Sequence, residues 1–118
     1  MLFRSVQIGT GGSPTTSGYT AGTAALAAAA NTMLTSTAGF PVFANTASYV
    51  LNGVLTLVNI SGNVWVASGS FFNVATTAYA APAAGSVSLS GVLNMVRVTT
   101  VNGTDTFDAG SINILYEG

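Results

Sequence analysis

Asp105 and Asp108 sit three positions apart in the run NGTDTFDAG, the one pair of carboxylates close enough in sequence to act together. Such a pair could serve as acid and base, as in a carboxylate-dependent glycosidase, or as ligands for a hard cation. Neither role fits well. Two acids in one short loop seldom straddle a sugar, which needs a separation of about 5–10 Å. The loop also lacks the alternating ligand spacing of an EF-hand. Aspartates in this setting more often cap their own backbone in an Asx-turn. Composition closes the other routes: the 118 residues include no histidine, cysteine or lysine, so the common nucleophile–base pairs cannot be assembled. The expectation is a chain that is not an enzyme, with no catalytic residue, cofactor or metal site.

Arg97 falls beside Leu93 and Met95 in strand-like sequence, where an unpaired charge would be costly. Asp105 or Asp108 is its nearest partner along the chain, and such a pair would pin the connection Asn102 to Gly110 onto the strand. The functional alternative is that Arg97 binds an anion or a neighbouring subunit. Tyr49, Trp65, Phe71, Phe72 and Tyr79 could form a carbohydrate platform, although aromatics at strand positions are more often core or interface anchors. The glycines of Gly9 to Gly22, GTGGSPTTSGYTAG, do not make a phosphate loop, because the required lysine is missing from the whole chain. That stretch reads as a loop or an N-terminal arm.

Charge is the strongest compositional signal. Only 4% of residues are charged, where about 25% is ordinary for a soluble domain. A lone molecule with so few charges would be prone to associate, so part of the surface is expected to be buried between subunits. Nucleic acid is excluded as a partner, since Arg4 and Arg97 cannot neutralise a phosphate backbone. Membrane spans need about 18 or more consecutive apolar residues, and the longest run, Ala24 to Ala30, falls far short despite a mean hydropathy of +0.59. The strand candidates are mostly too short for an outer-membrane barrel, and Met1-Leu-Phe-Arg opens without a secretory pattern.

These residues must be positioned by strands. Leu2 to Ile8 alternates, with Leu2, Arg4, Val6 and Ile8 on one face. Ala21 to Met33 reads either as a short alanine-rich helix or as an extended segment. Phe40 to Phe43 is a proline-marked edge candidate. Ser48–Leu51 and Val54–Ile60 flank Asn52-Gly53, a strong hairpin signal, and Ser61-Gly62-Asn63 marks a second turn before Val64–Ala67. Gly69 breaks that strand, Phe71 to Tyr79 makes another, and Ala80 to Gly85, with Pro82, connects onward. Val92 to Val101 and Ser111 to Tyr116 form the closing pair. The first of these is apolar on both faces, which predicts cover on both sides. SYVLNGVLTLVNI from Ser48 matches SVSLSGVLNMVRV from Ser86 at six of thirteen positions. Gly53 and Gly91 fall at the same place in this echo and are expected to supply a positive φ or a bulge. The echo is either a duplicated hairpin or convergence on a common corner.

The closing run LNMVRVTTVNGTDTFDAGSINILYE, with YVLNGVLTLVNISGNVWVASGSF, resembles small virion structural proteins of tailed bacteriophages, cyanophage types included. The resemblance covers roughly Tyr49 to Glu117. It implies a β-sandwich decoration, or cement, protein that sits as a trimer on the outside of an icosahedral head, beside the major capsid protein. No catalytic residue is carried over. The combined expectation is an all-β, single β-sandwich domain over residues 1–118, jelly-roll-like, with a glycine-rich N-terminal arm. It would act on the virion surface as a homo-oligomer. A tail or fibre module that binds a host receptor or glycan is the alternative, and would show Trp65 or Tyr79 on a concave face.

Overall fold

The computed structural model describes residues 4–28, 31–44, 49–73, 78–100, 107 and 110–117. Among the described residues every regular element is a strand. In chain order they are β1 (Arg4–Thr10), β2 (Ser13–Pro14), β3 (Thr20–Leu26), β4 (Asn31–Ser36), β5 (Phe40–Val42), β6 (Leu51–Ser61), β7 (Val64–Asn73), β8 (Tyr79–Ser88) and β9 (Met95–Thr100). They build two antiparallel sheets. In the four-stranded sheet, β1 has β9 along one edge and β5 and β2 along the other; the five-stranded sheet runs β4-β3-β8-β7-β6.

The sheets pack face to face in a sandwich-like arrangement. Period-two alternation brings Val6 and Ile8 of β1 and Phe40 of β5 against Ala21, Ala67 and Val87 of the facing sheet, with Tyr19 and Leu89 between them. A second cluster gathers Ala25, Phe43, Tyr79 and Ala81. Edge-to-face rings hold each cluster: Tyr19 on Phe40 at 5.0 Å and Phe43 on Tyr79 at 5.3 Å. Full burial of side chains such as Ile8 and Phe40 contributes about 1.5–3 kcal/mol apiece.

The alanine run resolves to the extended alternative. Ala21, Thr23 and Ala25 face inward from β3, which pairs with β8 on one side and β4 on the other. With no amphipathic stripe to bury, a helix there had nothing to offer against two strand neighbours. Gly9 to Gly22 turns at Gly11 and Gly12, both at positive φ, then pairs through β2 and buries Tyr19 before entering β3.

Several sequence expectations are corrected. Asn52-Gly53 is not a turn: both residues lie inside β6, opposite Phe72 and Phe71, and Gly53 has neither a positive φ nor a bulge. The turn is at Gly62, φ 52°, where Asn59 Nδ2 donates to the Gly62 carbonyl at 2.9 Å. Choosing that turn lets β6 pair with β7 along nearly its whole length. Gly53 is needed for space, because a Cβ there would meet the Ser70 carbonyl and the Phe71 Cα. Gly91 lies in the bend before β9, also without a positive φ, where a Cβ would crowd Thr10 Oγ1 at 2.7 Å. The echo therefore places edge strands β6 and β9 in opposite sheets, but its glycine is mid-strand in one copy and at a bend in the other. Gly69 does not break β7, and Tyr79 begins β8 instead of ending the strand before it.

Ala80 to Gly85 is likewise no connector but the middle of β8, with strands on both sides. A proline in an interior strand deletes a ladder donor, and the ladder lapses around it. Registered pairs between β3 and β8 skip from Thr23–Ala83 to Leu26–Ala80, and in the gap Thr23 Oγ1 donates to the Pro82 carbonyl at 2.9 Å. The same oxygen accepts from the Phe43 amide at 3.2 Å.

Candidate functional site: an uncharged outer face and two unfinished edges

The five strands of the larger sheet contain no charged residue. Their inward positions fill the core; the outward ones are uncharged, apolar residues interspersed with Ser, Thr and Asn. Across the end of that face run Leu26, Ala80 and Phe72, and beside them Met33, Pro82 and Val54, placed by strand register. Val54 is 71% exposed and Met33 73%, with Val58 and Ile60 further along β6 also exposed. A shallow depression of about 500 Å³ lies between Met33, Ala24, Pro82 and Ala84. Small residues flatten this face, and nothing in it titrates. What the arrangement can do is bury surface against another surface, since contiguous exposed apolar patches of this kind mark interaction sites.

The smaller sheet carries the charge. Arg4 points inward from β1 and donates from its Nη2 to the Tyr49 carbonyl at 2.9 Å, while its guanidinium stands 5.9 Å from the Phe107 ring centre. Arg97 is exposed on the outer face of β9, so it pays no burial cost, a correction to the expectation of a charge needing rescue. Its Nε donates to Gln7 Oε1 at 3.0 Å, and Gln7 Nε2 donates to the Ala38 carbonyl at 2.7 Å. Asp105 and Asp108 lie outside the described residues. Among the described residues no cluster of three or more His, Cys, Asp or Glu could hold a metal, and no helix is long and apolar enough to cross a membrane.

Trp65 faces inward and packs against the first core cluster; Tyr49 and Phe71 pack against the second, which Tyr79 helps to form. Of the five aromatics proposed for a platform, Phe72 alone turns outward.

The closing pair departs most from expectation. Regular pairing starts at Met95 instead of Val92, and among the described residues β9 is flanked on one edge only, by β1. It is not covered on both sides: Val92 is 78% exposed and Val96 is also exposed. Ser111 to Tyr116 joins no strand, and Ile112, Ile114, Leu115 and Tyr116 are exposed, the last two at 89%. Sequence reading named the apolar character of both runs but missed that a single chain leaves them apart. It also missed Val54, Val58, Met33 and Phe72 as an outer surface. The available signal was adjacent apolar pairs such as Val54-Leu55 and Leu57-Val58, which leave neither face of a strand polar.

Compared with known families, curated proteins and solved structures, the chain has no significant match in any of the three.

Proposed function

We propose that the chain is a non-enzymatic virion structural protein, a decoration or cement subunit on the outside of an icosahedral phage head. Its partners are copies of itself, assembled as a trimer, and the major capsid protein. The observation that carries this reading is the uncharged five-stranded sheet with its exposed apolar outer face. That surface suits burial against a protein lattice and offers no group for catalysis. A jelly-roll-like sandwich belongs to this reading, supported by the crossings of the chain between sheets from β2 to β3, β4 to β5, β5 to β6 and β8 to β9. The glycine-rich stretch packs on the body through β2 and Tyr19, and its exposed turns at Gly11, Gly12 and Thr16 to Gly18 would meet the shell at little steric cost. A subunit that binds only the assembled lattice stabilises it by mass action.

Two measurements test the reading. Sedimentation of the purified chain should give a multiple of 11.8 kDa; a monomer at every concentration would refute self-association. Reconstruction of virions that carry the chain should place its density on the outer head surface, and density confined to the tail would refute the capsid role.

A further inference from the structure

We propose that the C-terminal segment Ser111–Glu117 of one copy adds as a strand to the open edge of β9 in a neighbouring copy. The inference rests on the self-association proposed above and names its contact. Each chain leaves both halves of this contact unfinished. Among the described residues no strand covers the outer edge of β9, so along Met95–Thr99 one side of the backbone has no ladder partner among them. The C-terminal segment carries apolar side chains at Ile112, Ile114, Leu115 and Tyr116, all exposed, and has no pairing of its own. An open edge and an unpaired apolar segment are complementary, because strand addition satisfies backbone groups and buries alternate side chains together.

Residue pattern and charge choose the edge. Val96 and Val98 of β9 lie opposite Ile8 and Val6 of β1 and so share the core-facing side. An antiparallel match of Asn113–Glu117 on Met95–Thr99 sets Tyr116 and Ile114 beside Val96 and Val98, extending the core, with Ile112 following on the same face. On the other face Leu115 falls opposite Arg97, and Glu117 opposite Met95. Glu117 is then diagonal to Arg97, within reach of long side chains. A one-residue slip would turn both isoleucines outward. The free edges of the larger sheet, β4 and β6, carry no charge to meet Glu117. Each copy has one donor and one acceptor, so copies can join head-to-tail, and where the rotation between them closes the contact makes a ring, as the proposed trimer requires.

The chain has no cysteine, which makes cross-linking clean. Thr99→Cys and Asn113→Cys variants, mixed and oxidised, should form linked pairs, and the double variant should form linked multimers. A double variant that bridges only within its own chain would overturn the proposal. Ile112→Asp with Ile114→Asp, at positions exposed in the single chain, should keep the β-sheet circular dichroism and lose the oligomer. Arg97→Glu or Glu117→Arg alone should weaken assembly roughly two- to fivefold, with recovery when combined. If the wild type is oligomeric but the cysteine variants form no bridge between chains and the aspartate variant stays assembled, strand addition is wrong and self-association stands. A wild type that is monomeric throughout removes both.

Discussion

At the scale of single residues, Tyr19 is a fully buried side chain placed within a stretch whose composition suggested a loop or an arm. β5 leaves β1 after Val6 and β2 joins it at Gly9, so Ile8 has no strand neighbour on that edge. The Thr15 amide donates to the Ile8 carbonyl at 2.9 Å, and Tyr19 fills the rest of the gap. Its hydroxyl accepts from the Ile8 amide at 3.0 Å and lies within donating distance of the Ile8 and Thr15 carbonyls, at 3.1 and 2.9 Å. Tyr19→Phe keeps the ring against Phe40 but strands the Ile8 amide in the core, and should cost about 1–3 kcal/mol in denaturant unfolding. Burial also pushes the Tyr19 phenol above its ordinary value of 10.0, opposed by the Ile8 backbone and then by the charge of Arg97. An acid whose folded-state value is raised contributes stability that is intact below the unfolded value, about 10, and lost as pH rises through the folded one. The melting temperature should therefore fall above about pH 10, and Tyr19→Phe should flatten that fall. An unchanged alkaline limb in the variant would show that Tyr19 is not its source. Nothing in GTGGSPTTSGYTAG identifies this role, because the vacancy it fills is made by β5 and β2, from other parts of the chain.

At the scale of elements, what was legible followed from period, and what was not followed from competition between turns. The first strand, the Phe40–Pro41 edge and the Ser61-Gly62-Asn63 turn all read correctly, because alternation and turn residues agree there with long-range pairing. Asn52-Gly53 carries the stronger local hairpin signal, yet folding there would break the long pairing of β6 with β7 and turn Leu55 and Leu57 away from the core they pack against. Pro82 misled for a related reason. Proline lacks the ladder amide; here the pairing of β3 with β8 lapses around it, and the hydroxyl that takes its carbonyl, on Thr23, lies 59 positions away. Thr23→Val keeps the shape and removes the hydroxyl that serves both the Pro82 carbonyl and the Phe43 amide. It should destabilise by about 1–3 kcal/mol, whereas Thr→Val at exposed Thr32 or Thr35 should stay within about 0.5 kcal/mol. Equal effects at buried and exposed threonines would refute the bracing role. Arg97 shows the same limit of local reasoning. Its neighbours in sequence are apolar, but the face it occupies is open, and Gln7 reaches it across β1.

At the scale of the molecule, the two kinds of unfinished surface are physically distinct, and their responses should separate. The edge of β9 and the C-terminal segment have backbone to pair and one charge apiece, so they suit a contact between copies with a fixed register. The outer face of the larger sheet has no free backbone and no charge across its width. It suits burial against a broad surface, where register is loose and area dominates. Under the proposed function that face meets the shell. Val54→Lys with Val58→Lys tests the division, because both side chains are exposed in the single chain, at 71% and 52%, and their replacement should change folding stability by no more than about 0.5 kcal/mol. Neither residue lies in β9 or the C-terminal segment, so the ring should persist in sedimentation. Binding to heads stripped of the protein should fall at least tenfold, about 1.4 kcal/mol, because two ammonium groups would be desolvated without partners. Added sodium chloride should leave wild-type head binding nearly unchanged, since the face has no ion pairs to screen, while sulfate should strengthen it by favouring apolar burial. Undiminished head binding by the lysine variant, or wild-type binding that collapses in moderate salt, would mean that a charged surface makes the contact. The smaller sheet, which holds both arginines, would then be the side that faces the shell.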